Sequence, residues 1–210
     1  MVLEEALILR RFFKSQTTFE ESVELFNAIL FAPEGDVVEV GSASGGTTIV
    51  LIGAAEQKGK MVYSIDPYPE EYEGKALHYT PGIMKELKEE FKKNILEGSW
   101  RNVIQFNETV EECIDKIPEG LSVVFIDSCH ELSILQKEIK LLYPKLAVGG
   151  LMYVHDVYSE VGQLSQTKET GLAQIYSLFL YNKDVFLFAN VKTIEFLSGR
   201  RILCIGKTRL

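Results

Sequence analysis

At 210 residues, with 46% hydrophobic and 25% charged side chains, the chain has the composition of one globular domain large enough to bury a full sheet. A formal charge of −8 argues against a nucleic acid backbone as the main partner, and no apolar run reaches the roughly 18 residues of a membrane helix. The N-terminus is acidic, unlike a signal peptide, and the scattered Cys113, Cys129 and Cys204 have no metal-site spacing, so a cytoplasmic protein with reduced thiols is predicted, outside any membrane.

Residues 1–31 predict two helices ahead of the core. Thr18 to Glu21 has capping-box spacing, and Phe19, Val23, Phe26, Ile29 and Leu30 follow near helical period. This helical segment, 1–35, is expected to act as a lid or cap on a single domain spanning 36–210. Val37, Val38 and Val40 then form a buried strand, and the cluster Gly41, Gly45 and Gly46 makes a tight turn. An apolar helix runs from Thr47 to about Gln57 and stops at Lys58-Gly59. Met61 to Asp66 is the second strand.

The stretch 66–81 (DPYPEEYEGKALHYTP) is rich in tyrosine and too long for a routine connection of about 2–6 residues. It predicts a flap that helps close over a small organic ligand. Thr80-Pro81 fits a cap followed by proline at the first helical position, and Ile83, Leu87, Phe91 and Ile95 give the next helix its apolar stripe. Strands follow at 102–106 and 121–127, with a short helix stopped by Pro118 between them. A helix is expected over 131–143, and Gly149-Gly150 turns the chain into a fifth strand, LMYVHD. A polar loop (158–169) leads to a helix through Tyr181 and to strands within 185–197 and 201–206. The alternation predicts an α/β fold, Rossmann-like and doubly wound. Its seven-stranded sheet would be mostly parallel, with an antiparallel C-terminal edge pair.

In such sheets a ligand lies beyond the carboxyl ends of the strands, where strand order reverses. Glu39, Asp66, Asn107-Glu108-Thr109, Asp127 with His130, and His155-Asp156 occupy those ends. A single acid there is commonly a helix cap; five polar ends in succession point to a site. Glu39 carries most of the information. A dinucleotide would bring its pyrophosphate to this turn, where a carboxylate repels it, and the spacing of Gly41 and Gly45 misses G-x-G-x-x-G. A ligand with an ammonium, a sulfonium and no phosphate would favour the acid, and S-adenosylmethionine is such a ligand. Asp66 is placed to accept ribose hydroxyls.

The segments EVGSASGGTT, IDPYP, FIDSCHELSILQKEIKLLYPKLAVGG and LMYVHD together resemble the class I S-adenosylmethionine-dependent methyltransferases over residues 36–157. They are most similar to the small O-methyltransferase branch that includes catechol O-methyltransferase and antibiotic sugar O-methyltransferases. The resemblance implies transfer of a methyl group from S-adenosylmethionine to an oxygen of a small-molecule acceptor. It places the cofactor on Glu39, Gly41, Ser42, Gly45, Thr47, Asp66, Glu108, Thr109 and Asp127. Ala43 stands where a third glycine is commoner.

The resemblance also implies a proton acceptor at His130, where the branch places a lysine, with Asp127 and then His155 as the other catalytic candidates. A divalent metal is implied at Asp127 and Asp156. The fifth-strand pair is either His155-Asp156, which suits Mn, Fe or Zn better than Mg, or Asp156-Val157, in which one ligand is lost. Two other functions stay open at this stage. One is a non-catalytic binding protein that keeps the cofactor pocket; the other is an NAD(P)-dependent oxidoreductase, which Glu39 and the glycine spacing disfavour. A homo-oligomer is also left open.

Overall fold

A computed structural model of the protein describes residues 1–69, 82–128, 132–159, 189–195 and 200–208. The chain opens with α1 (Leu3–Phe12) and α2 (Phe19–Phe31), followed by β1 (Val37–Val40), α3 (Thr48–Gln57) and β2 (Val62–Ile65). Next come α4 (Ile83–Phe91), which continues as a π-helical turn over Lys92–Leu96, β3 (Val103–Phe106), α5 (Val110–Cys113) and β4 (Leu121–Ile126). After α6 (Leu132–Leu142), the sheet is completed by β5 (Leu146–Ser159), β6 (Ala189–Glu195) and β7 (Arg200–Lys207).

The seven strands lie in the order β3-β2-β1-β4-β5-β7-β6. The first five are parallel, and β7 runs antiparallel to both β5 and β6. This is the doubly wound, mostly parallel sheet that the alternation of patterns predicts. Strand order reverses between β1 and β4, which puts the crevice for a ligand at their carboxyl ends.

Two apolar layers enclose the sheet. One side carries Val38, Val40, Val124, Ile126, Met152 and Val154 against Leu135, Ile139 and Leu142 of α6. On the other side Val37, Val123, Phe125 and Tyr153 meet Leu25, Phe26 and Ile29 of α2 and Ile49 and Ile52 of α3. Every residue of α3 from Thr48 to Ala55 is buried. A helix apolar all round must be covered all round, and α1 and α2 supply the cover that solvent would otherwise meet. Among the described residues no helix is long and apolar enough to cross a membrane.

Three boundaries differ from the sequence expectation, one of them the far end of β5, which runs on to Ser159 instead of stopping at His155-Asp156. β5 starts at Leu146, so Gly149 and Gly150 lie inside the strand instead of ahead of it. Leu146 already pairs with Leu121, and the register then shifts between Leu121 and Val123, where β5 takes up extra residues as a bulge. The helix α4 begins at Ile83 behind Gly82, later than the Thr80-Pro81 pattern places it; Thr80 and Pro81 themselves lie outside the described residues. The same holds for most of the tyrosine-rich stretch (70–81) and for the loop and helix expected over 160–181.

Candidate functional site

The turn after β1 is shaped by its neighbours. Gly41 has φ +88°, and a Cβ there would lie 2.2 Å from the carbonyl oxygen of Asp127, so the loop and the end of β4 touch through bare backbone. Gly45 has the same φ, and a Cβ there would lie 2.6 Å from Ile95. Between them Ala43 adopts φ +45°, a conformation that side chains rarely take and that a glycine would hold without strain. The glycines therefore fix the turn by close packing and backbone conformation together.

Glu39 is wholly enclosed, at 0% exposure, on the side of the sheet that carries α3. Its Oε2 accepts hydrogen bonds from Thr48 Oγ1 at 2.6 Å and from Ser64 Oγ at 3.1 Å. Ser64 is its register partner on β2. The second oxygen, Oε1, is buried with no hydrogen-bond partner among the described groups. Burial raises the Glu39 pKa from 4.5 to about 8, more than the two hydroxyl bonds lower it, so the carboxyl is mostly neutral near pH 7.

Asp66, 6% exposed, ends β2 and ties it to the glycine turn. Oδ2 accepts the backbone N–H groups of Ser42 and Ala43, both at 3.0 Å, and Oδ1 accepts that of Tyr68 at 3.1 Å. Burial moves its pKa upward against these three bonds. The Tyr68 hydroxyl donates to the Ala43 carbonyl at 2.6 Å, so this ring straps the turn from the other side. Sequence reasoning passed over Thr48, Ser64 and Tyr68. The signal that could have found Ser64 is a small hydroxyl residue between apolar neighbours in the strand after the one carrying Glu39.

Just past the end of β4, beside the stretch of β5 that holds His155, a second acidic group forms. His155 Nδ1 lies 3.1 Å from Asp127 Oδ1, and its Nε2 lies 3.3 Å from Oε1 of Glu21 on α2. The ring packs edge-on against Phe125, with centroids 5.8 Å apart. The side chains of His155 and Glu21 are 2% and 1% exposed, whereas Asp127 keeps 14%. Asp127 is thus the most exposed of the three. The sequence placed Asp127 and His155 together at neighbouring strand ends; it did not reveal Glu21, which it identified only as part of a helix cap.

The remaining candidates are spread around this centre. Thr47 precedes α3, and its hydroxyl lies 3.2 Å from that of Ser15 and 3.3 Å from that of Thr17. Ser44 Oγ donates to the Phe13 carbonyl at 2.7 Å, so the link between α1 and α2 rests on the glycine turn. Glu108 pairs with Lys116 at 2.6 Å, and Thr109 caps α5 by accepting from Glu112 N. His130 lies outside the described residues, as does the side chain of Asp156.

Among the described residues no group of three or more His, Cys, Asp or Glu side chains could hold a metal ion. Both ring nitrogens of His155 face carboxylates, Nε2 at Glu21 and Nδ1 at Asp127, so an ion could reach the ring only by displacing one of them. An open groove of about 500 Å³, lined by Met1, Glu5, Ile8, Leu9, Glu56 and Trp100, lies beside the far end of α3 and contains none of these candidates.

Solved structures share this architecture across nearly the whole chain. A protein from Corynebacterium glutamicum matches with a TM-score of 0.71 at 14% identity, over 98% of this chain and 91% of that one. An O-methyltransferase from Bacillus cereus, in complex with SAH, matches at 0.69 and 14%, over 98% and 90%. The O-methyltransferase TomG from Streptomyces achromogenes, involved in tomaymycin synthesis and bound to SAM, matches at 0.67 and 13%, over 99% and 89%. At these identities the likeness is one of fold. No curated protein sequence matches the chain. The family model described as "Methyltransferase domain" matches residues 38–157, from β1 into β5 past His155, and the chain belongs to that methyltransferase family.

Proposed function

We propose that the protein is an S-adenosylmethionine-dependent methyltransferase that acts on an oxygen of a small molecule. The observation that carries this reading is the pair of enclosed acids, Glu39 and Asp66, on either side of the glycine turn. Their partners among the described residues are hydroxyls and backbone N–H groups. A pyrophosphate would meet carboxyl oxygens here, whereas ribose hydroxyls meet an acceptor at Asp66 and an ammonium meets the nearby Asp127. The orphaned Oε1 of Glu39 adds a buried polar atom to the same end of the sheet. Two solved structures of this fold are O-methyltransferases, which supports oxygen as the acceptor atom.

When bound, S-adenosylmethionine supplies an electrophilic methyl group. The chain holds and orients. Asp66 accepts the ribose hydroxyls while anchoring the turn built by Gly41, Ser42 and Gly45. Thr47 and the start of α3 meet the methionine carboxylate, and Glu108 and Thr109 border the adenine. Glu39 braces β1 against α3 and β2. Asp127 presents its carboxylate to the methionine ammonium, beside Gly41. His130 takes the acceptor proton, for which an imidazole is well matched near neutral pH. His155 orients Asp127. The segment 1–35 caps the site, a role supported by the contacts of Phe13, Ser15 and Thr17 with the glycine turn.

The test is transfer of label. Incubation with methyl-labelled S-adenosylmethionine and a cell extract should place label in low-mass compounds, with release of the demethylated product. Label recovered in RNA would contradict a small-molecule acceptor. Binding of S-adenosylmethionine with no transfer from any fraction would favour a non-catalytic binding protein.

A further inference from the structure

We propose that Glu21 is a positioning residue that sets Asp127 through His155, a role that rests on the methyltransferase reading of Asp127. Glu21 belongs to the first turn of α2, far in sequence from both partners. Its Oε2 accepts the Thr18 N–H at 2.6 Å, while Thr18 Oγ1 accepts the Glu21 N–H at 3.2 Å. This reciprocal box pins the carboxylate, and the pinned group directs Oε1 at His155 Nε2, 3.3 Å away. The imidazole in turn directs Nδ1 at Asp127 Oδ1, 3.1 Å away, with Phe125 fixing the ring plane. A helix cap, an imidazole and the strand-end carboxylate are joined in one line.

Capping alone does not explain where Glu21 sits. The same box recurs at α5, where Glu112 bonds to Thr109 on the surface. A capping glutamate therefore works in solvent, and burying one is costly unless a second partner holds it. Glu21 is buried completely, where the charge of Arg10 acts on it and His155 Nε2 stands 3.3 Å from its second oxygen. One turn further along α2, Glu24 accepts from the Tyr153 hydroxyl at 3.0 Å, two residues before His155 on β5. Two acids of one helix thus reach two side chains of one strand, which fixes the helix against the strand at the height of the site. Acid–imidazole pairs of this kind orient a ring for its next partner. Here the next partner is Asp127, the most exposed member of the line, just past the end of β4.

A double-mutant cycle separates positioning from simple support. Glu21→Gln should lower S-adenosylmethionine affinity about tenfold in the otherwise unaltered protein, and less than twofold in the Asp127→Asn background. Equal losses in the two backgrounds would overturn the proposal, because a general loosening of α2 acts whatever stands at 127. If Glu21→Gln does not fold, Glu21→Asp, which withdraws the carboxylate from the ring and keeps its charge, enters the same cycle.

The side-chain ¹⁵N resonances of His155, assigned by their loss in His155→Asn, give a reading that needs no cofactor. Both Glu21→Gln and Asp127→Asn should shift them, and resonances unmoved by Glu21→Gln would overturn the link. Failure of the unaltered protein to bind S-adenosylmethionine would overturn the methyltransferase reading instead, and the ring resonances would then decide the Glu21–His155 link by themselves.

Discussion

Asp66→Ala is expected to cost about 2–3 kcal/mol of S-adenosylmethionine affinity, on the order of 30- to 150-fold, in a chain that still folds. Two effects add. The ribose hydroxyls lose a carboxylate acceptor at the end of β2. The turn also loses its anchor, because Ser42 N and Ala43 N both donate to Asp66 Oδ2 and must find water instead. Tyr68, whose N–H bonds Oδ1 and whose hydroxyl holds the Ala43 carbonyl, loses one of its attachments to this corner. Calorimetry on the variant, with its melting temperature as the check on folding, measures the cost. Unchanged affinity in a folded Asp66→Ala protein would remove the ribose assignment.

Glu39→Gln should change how stability depends on pH. The folded-state pKa of about 8 lies above the ordinary 4.5. Below pH 4.5 both the folded and the unfolded chains hold the proton, and the native protein has its full stability. Between pH 4.5 and 8 the unfolded chain releases the proton and the folded chain keeps it, so stability falls as pH rises. The accumulated loss is on the order of 5 kcal/mol by pH 8.

Glutamine cannot ionise, and its carbonyl oxygen can accept the same bonds from Thr48 and Ser64. The variant should therefore gain on the unaltered protein steadily from pH 5 to 8, and urea unfolding across that range would read the gain. A constant difference would mean that Glu39 is ionised inside the fold. In the neutral form it acts as a hydrogen-bonding brace, and a bound cation would be needed to draw out its charge.

Much of this architecture is legible in the sequence, because it is written in local patterns. Alternating apolar runs located the five parallel strands, and the Thr18–Glu21 spacing located the start of α2. The glycine turn and its flanking acids located the end of the sheet where a ligand belongs. What stayed hidden depends on distance across the fold. Glu21 shows its capping role in four consecutive residues, but its contact with His155 exists only once α2 is laid across β5.

The enclosure of Glu39 likewise depends on Ser64 from the next strand and Thr48 from the helix behind it. Thr109 and Glu108 looked like binding residues from their strand-end position, and the geometry adds a cap on α5 and an ion pair with Lys116. The start of β5 was misplaced because a glycine pair usually marks a turn, whereas here it sits in a bulge that keeps pairing with β4.

On the proposed reading, the acids and the glycine turn at the ends of β1 and β2 receive S-adenosylmethionine and not a dinucleotide. Calorimetric titration of the unaltered protein near neutral pH, with S-adenosylmethionine and separately with NAD, distinguishes the two ligands. One saturable site per chain for S-adenosylmethionine and no heat from NAD is the predicted result. Saturable binding of NAD, with S-adenosylmethionine silent, would contradict it.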